Sequence, residues 1–166
     1  LGTGPIGLFH LIKANLMGAG KLISIDPSNF RTSIAEEFGA NFVINSSNKE
    51  EIKNYIHEIT NKVGVDLVVD CTGEAEGFGI ALELIREGGM VIEVGIFSNS
   101  HDISINPHSH ILEKSARIMG VGGDEISQYY PDDFKYHQYE LYDNNHDNIK
   151  EYLNDAYKNI KSFQEN

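Results

Sequence analysis

Residues 1–7, Leu1-Gly2-Thr3-Gly4-Pro5-Ile6-Gly7 or "LGTGPIG", decide the fold. Gly2, Gly4 and Gly7 have the G-x-G-x-x-G spacing of a phosphate-cradling turn. Ordinary turn glycines produce the same spacing. A dinucleotide fingerprint also demands a strand before the glycines, a helix after them and an acid about 20 positions further on. The chain opens inside the motif and reads as a piece of something longer, so the strand lies outside the sequence. The other two conditions can be sought within it.

Both are met. "PIGLFHLIKANLM" reads as a largely buried helix with Pro5 in its first turn, where a missing N–H costs nothing. "GAG" ends it, and "KLISID" reads as a short strand closing at Asp26, 19 residues after Gly7. In this register Gly2 permits the tight turn, Gly4 admits the pyrophosphate, and Gly7 lets the helix lie close to the sheet. The helix start around Pro5, Ile6 and Gly7 would present its positive end to the phosphates. Asp26 would accept hydrogen bonds from the adenosine ribose, and its charge would repel a 2′-phosphate, favouring NAD over NADP.

Downstream, short apolar runs alternate with amphipathic stretches. "SNFRTSIAEEFG" reads as a helix and "FVI" as a strand. "SNKEEIKNYIHEIT" is a helix with Ile52, Tyr55, Ile56 and Ile59 on one face and a Ser47–Glu50 capping box. "VDLVVDC" has the continuous apolar character of a strand covered on both faces. "AEGFGIALELIRE" is predicted helical up to Gly88-Gly89, with Phe78, Ala81, Leu82 and Ile85 facing inward. "MVIEVG" and "ARIMGV" are the last strands. The expectation is an α/β fold, a doubly wound parallel sheet (Rossmann fold) with its first strand truncated and the order 3-2-1-4-5-6 if complete. Residues 1–123 form the dinucleotide-binding domain. Residues 124–166 read as a poorly patterned helical extension of the same domain, with a clear helix only at "NIKEYLNDAYKNIKSF".

Composition narrows the function. The 166 residues suffice for one sizeable core, and 25 acidic against 13 basic side chains give a net charge of -12. That balance argues against nucleic acid and anionic membrane surfaces. Residues 124–166 carry 10 acids and 4 bases, half of the net charge. The single cysteine, Cys71, excludes an internal disulfide and fits a reducing, cytoplasmic setting. No signal-peptide pattern or membrane-length apolar run is present. His101, His108 and His110 cluster in "HDISINPHSH", but without cysteine and with Asp102 alone nearby they make a polar loop leading into a helix rather than a metal site. Asp132 and Asp133 read as a helix N-terminus rather than a catalytic pair.

"GTGPIG", "GKLISID", "EEFGANFVIN", "GVDLVVDCTGE" and "LIREGGMVIEVGIF" together resemble, in order and spacing, the zinc-type alcohol and polyol dehydrogenases of the medium-chain dehydrogenase/reductase superfamily. The resemblance spans roughly residues 1–123. It implies Arg31 near the adenosine ribose, with Cys71, Thr72 and Gly73 on the adenine side of the cleft. It further implies Gly95, Ile96 and Phe97 at the nicotinamide end, with Met119, Gly120 and Val121 close by. Cys71 reads as a buried, inert thiol in that position. The resemblance implies NAD as cofactor, a small alcohol or its carbonyl product as substrate, and pairing of two copies through the sheet edge. It also implies a catalytic zinc held by Cys, His and acidic residues of an N-terminal domain outside this chain, so that the chain alone is expected to be inactive. Two other classes share the glycines and Asp26: a non-catalytic NAD(H)-sensing module and a methyltransferase. The sensing module need not carry "DCTGE" followed by "GGMVIEVGIF". The methyltransferase sheet commonly ends in a reversed hairpin.

Overall fold

The computed structural model describes residues 1–95 and 102–121, together with Asn154 and Lys158, both helical. The glycine turn opens directly into α1 (Pro5–Leu16), with Gly4 as its N-cap and Pro5 in the first turn. The chain then runs through β1 (Ile23–Ile25), α2 (Asn29–Glu37), β2 (Phe42–Ile44), α3 (Lys49–Ile59), β3 (Val65–Asp70), α4 (Ala75–Leu84) and β4 (Ile85–Glu93). A π-helical turn at His108–Leu112 leads to β5 (Arg117–Gly120). Asn154 and Lys158 fall within the helix expected in the C-terminal extension. The rest of that extension, including Asp132 and Asp133, lies outside the described residues, as do Ile96 and Phe97.

All strand pairings are parallel. β1 pairs with β2, and β3–β4–β5 form a second ladder. The first two residues lie between these ladders. Gly2 N donates to Ile25 O of β1, the Leu1 amino group donates to Val69 O of β3, and Cys71 N donates to Leu1 O. The spatial order is therefore β2–β1–(Leu1-Gly2)–β3–β4–β5, the expected doubly wound order with one strand position occupied only at its last step. Apolar side chains gather into two clusters. One is built by α1 and α2 around Leu8, Phe9, Ile12 and Ile34. The other joins α3 and α4 to the strands around Ile52, Ile56, Leu82 and Val91.

Two local expectations are corrected. α4 ends at Leu84, so Ile85, Arg86 and Glu87 belong to β4 and the Gly88-Gly89 pair lies within that strand. The Nζ of Lys114 donates to the carbonyls of Leu82, Glu83 and Ile85, satisfying the helix end from 29 to 32 residues away. The cap of α3 is Asn48, whose side chain accepts from Glu50 N and Glu51 N. Ser47 does not form the expected capping box. Its neighbour Ser46 instead donates to Glu51 and accepts from Asn48 N.

Candidate functional site

In parallel α/β sheets, ligands bind beyond the carboxyl ends of the strands, where the strand order reverses. Here that point is the glycine turn. Gly2 has φ +77°, a conformation that favours glycine, and a Cβ there would meet the Cys71 backbone at 2.9 Å. A Cβ on Gly7 would overlap the Gly2 carbonyl oxygen, so the turn closes on itself only without a side chain. Gly4 differs: no described residue lies within 4 Å of a Cβ built there. Its missing side chain leaves room for something outside the protein. The first N–H groups of α1, those of Ile6 and Gly7, lack intrahelical partners, and no acid in the first turn offsets the positive helix end.

A cleft of about 470 Å³ opens at this turn. Gly2, Gly4, Pro5, Ile6, Gly7, Asp26, Arg31, Cys71 and Thr72, all expected from sequence, line it together. Ser46, Ser47, Glu74 and Glu76 line it as well, although the sequence reading assigned none of them to the site. Gly95 is not part of the lining. It sits one layer behind, where a Cβ would meet Gly73 N at 2.6 Å. β5 ends beside it, with Gly120 the register partner of Glu93 and Val121 N donating to Glu93 O.

Asp26 is only 3% exposed. Its Oδ2 accepts from Thr3 N and its Oδ1 from Ser28 N, each at 2.8 Å. Arg31 Nη1 stands 3.6 Å from Oδ2. A carboxylate has about four acceptor positions, so capacity remains for a hydroxyl on the cleft side. Thr3 was missed from sequence. It is buried, its Oγ1 is hydrogen-bonded to Ser24 Oγ at 2.6 Å, and it fastens the turn to β1. On β3, Asp70 Oδ1 accepts from both Thr72 N and Thr72 Oγ1, which shapes the Cys71–Glu74 turn. Burial pushes the Cys71 thiol up to about 11, so it stays protonated at neutral pH.

Of the expected histidine cluster, His101 lies outside the described residues, and His108 and His110 face different partners. His108 faces Glu113 at 3.2 Å, whereas His110 accepts from Asn106 N and approaches Glu83 at 3.9 Å. Among the described residues no group of three or more His, Cys, Asp or Glu could hold a metal ion. Nor is any described helix long and apolar enough to cross a membrane.

Fold and cleft together define a doubly wound parallel α/β domain with a cleft where its strand order reverses. The chain belongs to the zinc-binding dehydrogenase family, whose profile matches residues 5–135. It is 36% identical over 121 residues to the D-arabitol-phosphate dehydrogenase of Enterococcus avium, covering 72% of this chain and 34% of that enzyme. Among solved structures it superimposes on an alcohol dehydrogenase from Thermotoga maritima with TM-score 0.70 at 25% identity, covering 98% of this chain and 46% of that one. A zinc-binding dehydrogenase from Sinorhizobium meliloti 1021, solved bound to NADP, gives TM-score 0.62 at 28% identity, covering 71% of this chain and 34% of that one. The chain spans about a third of the length of the curated relatives it matches.

Proposed function

We propose that this chain is the NAD(H)-binding portion of a cytoplasmic zinc-type dehydrogenase that moves hydride between a small alcohol or polyol and NAD. The observation that carries this reading is the cleft itself. A side-chain-free Gly4, the uncapped start of α1 and the Asp26 carboxylate face one cavity of about 470 Å³. The dinucleotide, when bound, supplies the hydride acceptor. A zinc, held by ligands that this reading places in an N-terminal domain outside the chain, would polarise the alcohol oxygen. The chain's own residues bind and orient. The α1 N–H groups take the pyrophosphate against the helix dipole. Asp26 accepts from the ribose hydroxyls and sets a negative charge against any 2′-phosphate. Arg31 partly balances that charge at 3.6 Å and lies on the solvent side, half exposed. Cys71 and Thr72 form the opposite wall. The chain alone would bind cofactor without turning over substrate.

The test is calorimetric titration of the chain with NADH and NADPH. NADH should bind, and more tightly than NADPH. A folded chain that binds neither, or prefers NADPH, overturns the NAD reading.

A further inference from the structure

A second acid, Glu93, lies half-buried behind the cleft. β3 and β4 are parallel, and Asp70 and Glu93 are register partners. Their side chains therefore leave the sheet on the same face. Two positions earlier, Val68 and Val91 occupy that face and belong to the apolar cluster under α3 and α4. An acid pair is thus set into an otherwise hydrophobic layer. Asp70 is 0% exposed. Register pairing sets the two carboxyls side by side on that face. One oxygen of each, Asp70 Oδ2 and Glu93 Oε2, is buried with no hydrogen-bond partner among the described residues.

Two adjacent carboxylates, one buried and one half-buried, repel, and each orphaned buried oxygen costs free energy. One proton removes both penalties at once, because a protonated carboxyl becomes a donor and the other remains an acceptor. The other oxygens show where that proton resides. Asp70 Oδ1 accepts two hydrogen bonds from Thr72, and the start of α4 lies against the same carboxylate, with Gly77 packed directly on it. Glu93 Oε1 accepts one, from Gly95 N at 2.9 Å. Glu93 has fewer donors to hold a charge, so the proton goes to Glu93.

We propose that Asp70 and Glu93 share a single proton, carried by Glu93, and that this bond ties the Gly95 turn to the Cys71–Glu74 wall of the cofactor cleft, making Glu93 a positioning residue for cofactor binding. The tie is direct. Gly95 N donates to both Glu93 Oε1 and Asp70 O, and Gly95 packs against Gly73. Burial, followed by the charge of Asp70, raises the Glu93 carboxyl to about 7, within the range where a cell's pH varies. The surroundings supply no offsetting cation among the described residues. β3 contributes Asp70, with Cys71 just beyond its end; α4 is capped by Glu74 and carries Glu76 in its first turn; and β5 places Gly120 opposite Glu93. The Leu1 amino group acts on Cys71 and is absent from the influences on Glu93. Above neutrality the pair would carry two charges, the bond would be lost and the wall would loosen.

The link to cofactor rests on the NAD(H) reading above; the shared proton does not. The experiment therefore has two arms on the full chain. In the first, carbon-detected NMR of glutamate side-chain carboxyls is followed with pH in the native chain and in Glu93→Gln. One carboxyl should titrate near neutrality and vanish in the variant, while ordinary titration of every glutamate overturns the proposal. In the second, NADH affinity is measured from about pH 6 to about pH 8. A one-unit difference in this acid's pKa between free and bound chain is about a tenfold change in affinity across its titration. The native chain should lose affinity as pH rises. Glu93→Gln keeps both a donor and an acceptor and should hold the low-pH affinity throughout. The same pH dependence in both proteins overturns the positioning role. If NADH fails to bind at any pH while the carboxyl titrates near neutrality, the shared proton stands and the cofactor reading falls.

Discussion

Thr3 N donates to Asp26 Oδ2 at 2.8 Å, so the glycine turn and the end of β1 are fastened by the carboxylate that the cofactor reading assigns to the ribose. Asp26 therefore has a structural as well as a recognition role. Asp26→Ala leaves the N–H groups of Thr3 and Ser28 without their acceptor, and an orphaned buried donor costs about 1–3 kcal/mol. Urea denaturation should show that loss, and titration should show weakened NADH binding with discrimination against NADPH relaxed. Asp26→Asn retains an acceptor oxygen and should recover part of the stability without the discrimination. Unchanged affinity for both cofactors in Asp26→Ala would remove the ribose role.

Gly4 and Gly7 separate binding from folding. A Cβ at Gly4 meets none of the described residues within 4 Å, so Gly4→Val should keep the native denaturation midpoint while abolishing NADH binding. Gly7→Ala drives a methyl into the Gly2 carbonyl and should instead lower stability by about 1–3 kcal/mol, the usual cost of overpacking. Normal NADH affinity in Gly4→Val means the pyrophosphate lies elsewhere.

Most of this was legible because local signals agree with the tertiary structure. The glycine spacing, the helix after it and Asp26 at a strand end are short-range features, and the strand–helix alternation follows from periodicity. The boundary between α4 and β4 was not legible. Ile85 continues the helical spacing of Phe78, Ala81 and Leu82, so the pattern runs on, yet the chain turns extended there with ψ 145°. What satisfies the helix end is Lys114, distant in sequence. Ser47 and Asn48 are adjacent cap formers, and only the backbone geometry chooses Asn48. Glu93 was read as one letter of the strand "MVIEVG". Its pairing with Asp70 depends on the β3–β4 register, which includes an irregularity between Val65 and Leu67 that no periodicity reveals.

Lys114→Met should show how much that remote cap matters. Methionine keeps the aliphatic stem but removes all three donations to α4 and the start of β4. Hydrogen bonds from a charged donor contribute about 1.5–3 kcal/mol each, discounted here because one ammonium serves three carbonyls. A loss of about 2 kcal/mol in urea unfolding is expected. Hydrogen exchange should report earlier opening of α4 than of α1. A stability change within experimental error would mean that water replaces the lysine.

Stability should also respond to pH through Glu93. Its folded-state pKa is raised from 4.5 to about 7, so between those values the native chain holds a proton that the unfolded chain has shed. Native stability linked to this group is full below 4.5 and falls as pH rises through about 7. Glu93→Gln removes that slope without removing the hydrogen bonds. Chemical denaturation at several pH values should give a flatter profile for the variant; equal slopes would assign the pH dependence to other groups.

The gap between β1 and β3 supplies the last prediction. Leu1 and Gly2 bond to both ladders, to Val69 O on one side and Ile25 O on the other. Alongside them runs a groove of about 700 Å³, lined by residues of β1 and β3 and by Leu11, Ile56 and Leu84. Its walls are two parallel strand edges and apolar side chains, so the occupant that fits is a parallel apolar strand ending at Leu1. Five strand-forming residues such as Val and Ile joined to Leu1 should enter it. Each added ladder hydrogen bond contributes about 0.5–1.5 kcal/mol net, with apolar burial in addition. The extended chain should therefore show a higher urea midpoint and slower amide exchange in β1 and β3, while β5, at the far edge of its ladder, should change little. If β1 and β3 exchange at the same rate with and without the extension, the groove is not a strand site and the two ladders are joined only through Leu1 and Gly2.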